Sequence, residues 1–403
     1  MRAPRAAPVK LRIVVAGYIG RYPLGGVAWD YVQYVVGLHR LGHDVYYIED
    51  SGDWPYNPSK PALAADLTYN ARHIHAVMER FGLEDRWAYV SPGDDAWRGM
   101  DSARVSEVMR TADLLINVSG SLRLEGLSHF HGRSVFIDSD PVFTQVKMIR
   151  GDYTPRLVAA HDAHFSFGET LVPGFLGSEL PWRPTRQPVL LRDWANELPP
   201  GDAYRTVMNW SSAKPFVLQG RSYGQKDEEL RRFLHLPGCV EPIQLQLAIA
   251  VDSTVANLPD RVPHEVLRSH GWRVADASVV AGDMESYAEF IKGSRGEWSV
   301  AKNAYVAGSP GWFSCRSACF LAAGRPVVVQ DTGFSQVIPT GVGVLAFRDI
   351  ASATEALREV ERDWGRHSAA ARQLAEEYFD ADRVLTRLVD DAFAVHPAAG
   401  RSQ

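Results

Sequence analysis

The chain has 403 residues, 46% hydrophobic and 23% charged, a composition that suits two ordinary globular domains with sizeable cores. Its formal net charge of −5 gives no electrostatic reason for a nucleic-acid or anionic-membrane partner. Three cysteines (Cys239, Cys315 and Cys319) make no disulfide framework and point to a reducing cytoplasm, and no apolar run is long enough to span a bilayer.

The basic start, MRAPRAAPVK, has no apolar core and predicts a frayed leader rather than a signal peptide. Leu11–Gly17 reads as a buried strand. The loop YIGRYPLGG follows, and Val27–Leu41 carries apolar residues at helical spacing. Gly42-His43 closes that helix and Asp44–Asp50 is a second strand, so the chain opens as a βαβ unit on a parallel sheet. The loop lacks the G-x-G-x-x-G spacing of a dinucleotide site. Residues 51–65 form a loop rich in proline and aromatics, in which Trp54 and Tyr56 are candidates to grip an acceptor.

Tyr69–Phe81 predicts a helix. Strands are predicted at Asp113–Val118, Ser134–Ile137 and Ala163–Phe167, each ending in a polar loop: Ser119-Gly120-Ser121, Asp138-Ser139-Asp140-Pro141 and Gly168-Glu169. The first half is therefore Rossmann-like, with its loops on one rim. Residues 178–201 are dense in Pro and Trp and read as the interdomain connection plus the first elements of the second domain. A second sheet is predicted to begin at Pro215–Leu218 and to continue through Gln244–Val251 and Trp272–Ala275. From Ile350 to Ala394 the spacing is helical, with a break near Phe379.

The stretch Trp298–Ile338 reads as strand, loop, helix, strand, loop. Ser314 is placed to cap a helix from Cys315 to Ala323, Gly324 ends it, and Pro326–Val329 is a buried strand followed by the turn Asp331-Thr332-Gly333. Ligands of open α/β sheets sit at the carboxyl ends of strands, and helix N-termini attract phosphate. The stretch thus predicts a nucleotide or diphosphate cradle.

Together these features resemble the GT-B glycosyltransferases, in particular glycosyltransferase family four. The match lies in Gly25-Gly26 before the first helix, Gly42-His43 after it, Gly220-Arg221 with Lys226 five positions later, and Ala322-Ala323-Gly324-Arg325-Pro326-Val327-Val328. The resemblance implies two Rossmann-like α/β domains facing across a cleft. An acceptor domain would span 1–185, a donor domain 186–378, and a last helix, 379–403, would return to the first. It implies transfer of a sugar from a nucleotide-diphosphate sugar such as a UDP-sugar to a hydroxyl or amine of a small-molecule or glycan-type acceptor, with retention and without a metal or other cofactor. Arg221 and Lys226 would neutralise the leaving diphosphate. Gly25, Gly26, Gly220, Ser309, Phe313, Ser314, Thr332, Gly333, Phe334, Ser335 and Gln336 would surround the donor. Asp138 and Asp140, at the end of a strand, are candidate catalytic carboxylates: in an inverting transferase one would deprotonate the acceptor hydroxyl, and in a retaining one they would hold acceptor hydroxyls or amines, beside Ser119 and His161.

The family's two donor-site glutamates fall here on Gly311 and Cys319, and its Gly-Gly-x-x-Glu loop becomes Gly333-Phe334-Ser335-Gln336. Those departures keep two rivals in play: a sugar-nucleotide epimerase on the same fold, and a catalytically silent sugar-nucleotide-binding scaffold. The pairs His73/His75, His129/His131 and His161/His164 have no third ligand in sequence, so no metal site is expected.

Overall fold

The computed structural model describes residues 9–57, 67–92, 96–151, 153–212, 214–250 and 263–394. The first eight residues of the leader and residues 58–65 of the 51–65 loop lie outside the described residues. Two sheets carry the chain. The first runs, edge to edge, through Arg98–Gly99, Trp87–Tyr89, Asp44–Glu49, Arg12–Ala16, Leu114–Val118, Arg133–Asp138, Ala163–Ser166 and Arg183–Pro184. Every neighbouring pair is parallel except the antiparallel edge at Arg98–Gly99. The second runs through Arg273–Asp276, Gln244–Ala250, Ala203–Asn209, Gly296–Ser299, Val327–Gln330 and Val344–Phe347, all parallel.

In each sheet the chain fills one side and then jumps back to fill the other. That leaves a switch point between Ala16 and Val118 in the first sheet, and between Asn209 and Ser299 in the second. A crevice opens at the carboxyl ends of the strands at such a point. The two crevices face one another.

One strand departs from the sequence expectation. Phe216–Leu218 pairs antiparallel with Arg221–Tyr223 in a separate hairpin, and the second sheet starts earlier, at Ala203–Asn209. The sequence hides that strand because AYRTVMN interrupts its apolar run with Arg205 and Thr206, whereas strands covered on both faces ordinarily read as continuous apolar runs. Residues 178–201, read as connection, also contribute the edge strand Arg183–Pro184 to the first sheet. The helical stretch after Ile350 has a further break at Asp363, which caps the helix Trp364–Tyr378 through its side chain. No helix among the described residues is long and apolar enough to cross a membrane.

The halves are joined by the helix Gly25–Arg40. It is buried on nearly every side (Ala28, Trp29, Val32, Tyr34, Val35, Leu38), because it lies under the first sheet, against the helix Met284–Lys292 of the second half and against the last helix, Ala381–Ala394. Gly25 donates its amide to the Ala281 carbonyl at 2.8 Å, and the Trp29 indole donates to the Met284 carbonyl at 3.0 Å. A side chain at Gly25 would place its Cβ 1.9 Å from the Asp283 carbonyl oxygen. Gly25 is therefore a place of close backbone approach between the halves. The last helix packs on the first domain, where Leu385 fills the space left by Gly37 and the Ala392 carbonyl accepts from Arg133 at 2.8 Å.

Gly25→Ala is expected to lower stability by about 1–3 kcal/mol through overpacking at this seam. Gly238→Ala, where an added Cβ meets nothing within 4 Å, is expected to be neutral or slightly stabilising. Paired thermal or urea melts of the two variants would check this.

Candidate functional site

Between the two switch points lies a cleft of about 660 Å³. Its first-domain wall is formed by the loop after Ala16 (Tyr18, Arg21, Tyr22), the start of the first helix (Gly26, Val27, Asp30, Tyr31) and the strand ends at Ser119 and Ser139-Asp140. The second-domain wall is formed by Asn209, Lys226, Tyr287, Lys302, Tyr305, Trp312 and Ser314-Cys315-Arg316.

The first-domain loop is held from beneath. Glu49, fully buried at the end of its strand, accepts from the amides of Gly20 at 2.7 Å and Arg21 at 2.6 Å and from the Tyr47 hydroxyl at 2.6 Å. Burial raises its pKa to about 7 in spite of these donors. Asp138 is spent in the same way. Its carboxylate accepts from Thr144 at 2.7 Å, Gln145 at 2.9 Å, Ser166 at 2.9 Å and the Asp140 amide at 3.0 Å, and burial raises its pKa. It therefore anchors the loop under the cleft and is not among the residues that line it.

Asp140 does line it. Its Oδ1 accepts from Lys302 Nζ at 2.9 Å and from the Tyr305 hydroxyl, which ties the two walls together. Burial works to raise the Asp140 pKa, but the Lys302 ammonium and the Tyr305 hydroxyl outweigh it and hold the carboxyl below its ordinary value.

Three cations converge on the second wall. Lys226 opens the helix Lys226–Arg231, Lys302 precedes the helix Asn303–Gly308, and Arg316 lies in the first turn of Cys315–Ala322. Arg316 donates to the fully buried carboxylate of Glu297 at 2.7 Å and to the Val207 carbonyl at 2.7 Å. Lys226 makes no hydrogen bond or ion pair with the described residues. Burial and then the neighbouring charges of Arg316 and Lys302 depress its pKa well below the ordinary lysine value. A lysine so placed, beside two further cations, can take an anion, which would favour its charged form. Among the described residues no group of three or more His, Cys, Asp or Glu side chains is arranged to hold a metal ion.

The residues singled out in the sequence scatter around this centre. Lys226, Asp140, Gly26, Ser314 and Ser119 line the cleft. Ser314 sits at the start of its helix without a side-chain capping bond. Phe313, Thr332 and Phe334 pack just behind it around a small void, and Phe313 and Phe334 meet edge to face at 5.1 Å. Gly333 closes against Ser309, while Ser335 is tied to Asp331 at 2.8 Å, so both brace the loop. Tyr56 lines a second cavity of about 590 Å³, which shares Tyr22, Leu24, Val207, Asn209 and Ala281 with the cleft and extends to Asp276-Ala277-Ser278 at the end of a strand.

Others fall outside. Gly220 and Arg221 sit at the turn of the separate hairpin, where Arg221 is exposed over the Tyr223 ring. The strand preceding them does not belong to the second sheet, so its end does not open on the cleft. His161 is buried against Phe136, bonded to the Leu157 carbonyl at 2.8 Å and to Asn117 at 3.2 Å. Ser309, Gln336 and Trp54 are exposed and line no part of the cleft, and Gly25 is taken up by the interdomain seam.

Sequence reasoning missed Asp30, Lys302 and Arg316. Two carried a signal: Asp30 interrupts the apolar helix VAWDYVQYVV, and a cation in a first helical turn opposes the helix dipole.

Arg316→Met leaves Glu297 buried without its partner and is expected to cost about 3–5 kcal/mol. The double change with Glu297→Met should recover most of that loss in urea melts, since it removes both charges.

No protein-family model matches the chain, and no curated protein matches it. Solved structures do. An α-glucosyltransferase in complex with UDP and a 13-mer DNA containing a central A:G mismatch superposes at a TM-score of 0.60, with 12% identity over 95% of this chain and 100% of that one. Anabaena Alr3699/HepE in complex with UDP and glucose gives 0.58, with 10% identity over 95% and 100%. Sucrose-phosphate synthase from Thermosynechococcus elongatus gives 0.56, with 14% identity over 95% and 99%. Two Rossmann-like halves, facing switch points and a last helix packed on the first half give this chain the GT-B fold of those glycosyltransferases.

Proposed function

We propose that the chain is a glycosyltransferase that moves a sugar from a nucleotide-diphosphate sugar to a hydroxyl or amine of a small-molecule or glycan-type acceptor. One observation carries this: Lys226, Lys302 and Arg316 converge beside the N-terminus of the helix Cys315–Ala322, in a cleft between two facing switch points. A diphosphate placed there meets fixed positive charge at the bond that must break. As the sugar departs, the leaving oxygen gains charge that Lys226 and Arg316 stabilise more than they stabilise the intact donor. The base and ribose are assigned to the adjoining cavity at Asn209 and Asp276-Ala277-Ser278, with UDP as the first nucleotide to test. The acceptor is assigned to the first-domain wall of Tyr18, Tyr22, Tyr31, Ser119 and Ser139.

The cations supply the charge that a divalent metal supplies in other transferases, so metal-independent turnover is proposed, and activity in excess chelator would test it. Three free thiols fit a reducing cytoplasm as the working compartment. The family-four likeness implies retention, in which the departing phosphate itself assists deprotonation of the acceptor. The separate first-domain wall favours a transferase over an epimerase, which has no second substrate to hold.

The test is calorimetric titration and thermal shift with UDP, other nucleoside diphosphates and their sugars. One nucleotide should bind and raise the melting temperature by mass action. Lys226→Met should abolish that shift, and Arg221→Ala should leave it intact. An anion restores the Lys226 proton that burial disfavours, so binding should be accompanied by more proton uptake from buffer in the wild type than in Lys226→Met, as titration in buffers of different ionisation enthalpy would show. Absence of binding to every nucleotide would overturn the donor-site assignment.

A further inference from the structure

Three surface segments meet over the small apolar cluster of Val142, Tyr223, Ala301, Ala304 and Tyr305, beside the cleft. They are the end of the helix Phe143–Arg150, the loop 171–177, and the hairpin of Phe216–Leu218 with Arg221–Tyr223. Phe143, Phe175, Leu176, Phe216 and Leu218 form their half-buried underside. Arg150 ties helix to hairpin by donating to the Val217 carbonyl and lying over the Phe216 ring at 5.5 Å. A Cβ on Gly177 would lie 3.7 Å from Ile149 Cδ1, so the loop reaches the helix end.

The outer side of this assembly is apolar where the chain projects. The loop 171–177 reads LVPGFLG, without one polar side chain, and none of its residues is buried. In the hairpin Phe216 stacks on Tyr223 toward the cluster, which turns Val217, the next residue along, to the opposite face. Val172, Val217 and Ile149 are 61, 59 and 47% exposed. Exposed apolar side chains scattered singly are ordinary, but three on adjoining segments make a patch. The backbone of the loop is already satisfied. The amides of Gly174, Phe175 and Gly177 donate to the carbonyls of Ser178, Val172 and Gly174 at 2.9–3.0 Å. Such a loop can leave water without stranding those amides.

Charge on the same segments has one sign. Residues 147–150, 171–177 and 214–223 contain Lys147, Arg150, Lys214 and Arg221, all exposed, and no Asp or Glu. The chain as a whole is acidic, so this attraction for anions is local. A second copy of the face would set four cations against four in an isologous pair. The loop 171–177 also offers a protein partner no side-chain hydrogen bond, of which protein interfaces carry several.

We propose that this face docks on a lipid bilayer carrying anionic headgroups, the three apolar side chains entering the interface and the four cations facing the headgroups. Apolar tips bracketed by cations combine the two forces that hold a protein on such a surface. No membrane-crossing segment is needed. The proposal stands apart from the glycosyl-transfer reading, but it bears on the same cleft. The helix that ends in Ile149-Arg150 lines that cleft at Thr144 and Lys147, so a docked bilayer lies beside the first-domain wall.

The experiment uses the full chain with sucrose-loaded vesicles, of phosphatidylcholine alone or with about one-third phosphatidylglycerol. Wild type should sediment with the anionic vesicles with at least about tenfold higher affinity than with neutral ones, and less as salt is raised. Val172→Asp/Val217→Asp and Lys214→Glu/Arg221→Glu alter only exposed side chains. Their melting temperatures should match wild type while affinity for anionic vesicles falls about tenfold or more. Val279→Asp, at an exposed position on the helix Ala277–Val280 outside this patch, should bind as wild type does. The proposal is overturned if wild type does not bind anionic vesicles at low salt, if neutral vesicles bind as well, or if either double variant keeps its affinity. Dimers of wild type that Val172→Asp/Val217→Asp dissolves, without vesicle binding, would assign the face to protein contact and overturn the bilayer.

Discussion

The architecture depends on how tightly the first helix, Gly25–Arg40, presses against the second half of the chain. At its start the backbone of Gly25 meets the backbone at Ala281 and Asp283. One turn later the Trp29 ring packs on Trp194 at 4.8 Å and its indole bonds to Met284. One turn further on, the buried Gln33 accepts from the Leu190 amide at 3.0 Å and the Trp194 indole at 3.1 Å. A helix gripped this way cannot shift along its axis without stranding a polar group in the core. Asp30 lies between two of those grips, so its distance from the second wall is set by the core rather than by its own side chain.

Charge in the cleft is arranged on the same principle. Two of the cations are tethered by carboxylates: Arg316 by the buried Glu297, and Lys302 by Asp140 across the gap. Lys226, Lys147 and Asp30 also line the cleft, without a side-chain hydrogen bond or ion pair among the described residues. Burial pushes Lys226 and Asp30 toward their neutral forms. A diphosphate would reverse that at the lysine by favouring its charged form.

Much of this was legible before the fold was known. Strands buried on both faces read plainly where they are unbroken apolar runs, as at Ile13–Ala16 and Val327–Val329, and the glycine that ends the helix before Pro326 is the αL residue its context requires. The Ala203–Asn209 strand was not legible, because Arg205 and Thr206 disguise it, and the mistake spread. With the strand misplaced, the next apolar run took its role and Arg221 was put at a sheet end that does not exist. Lys226, placed in the sequence by its spacing from Arg221, lines the cleft from the start of the helix it opens. Asp30 and Lys302 come to the cleft through long-range proximity, and a linear sequence does not show which residue 100 or 200 positions away lies opposite.

The polypeptide passes between the halves twice, near Val189 and near Phe379–Ala381, and the two passages are bonded to each other. The Val189 amide donates to the Phe379 carbonyl at 2.7 Å, and the Ala381 amide donates to the Val189 carbonyl at 3.0 Å. A single linking strand would leave one half free to twist against the other. Two passages joined by a single parallel bridge between Val189 and Asp380 resist such twisting. The two links therefore share strain: neither can be pulled away from the seam without breaking the hydrogen bonds it makes to the other.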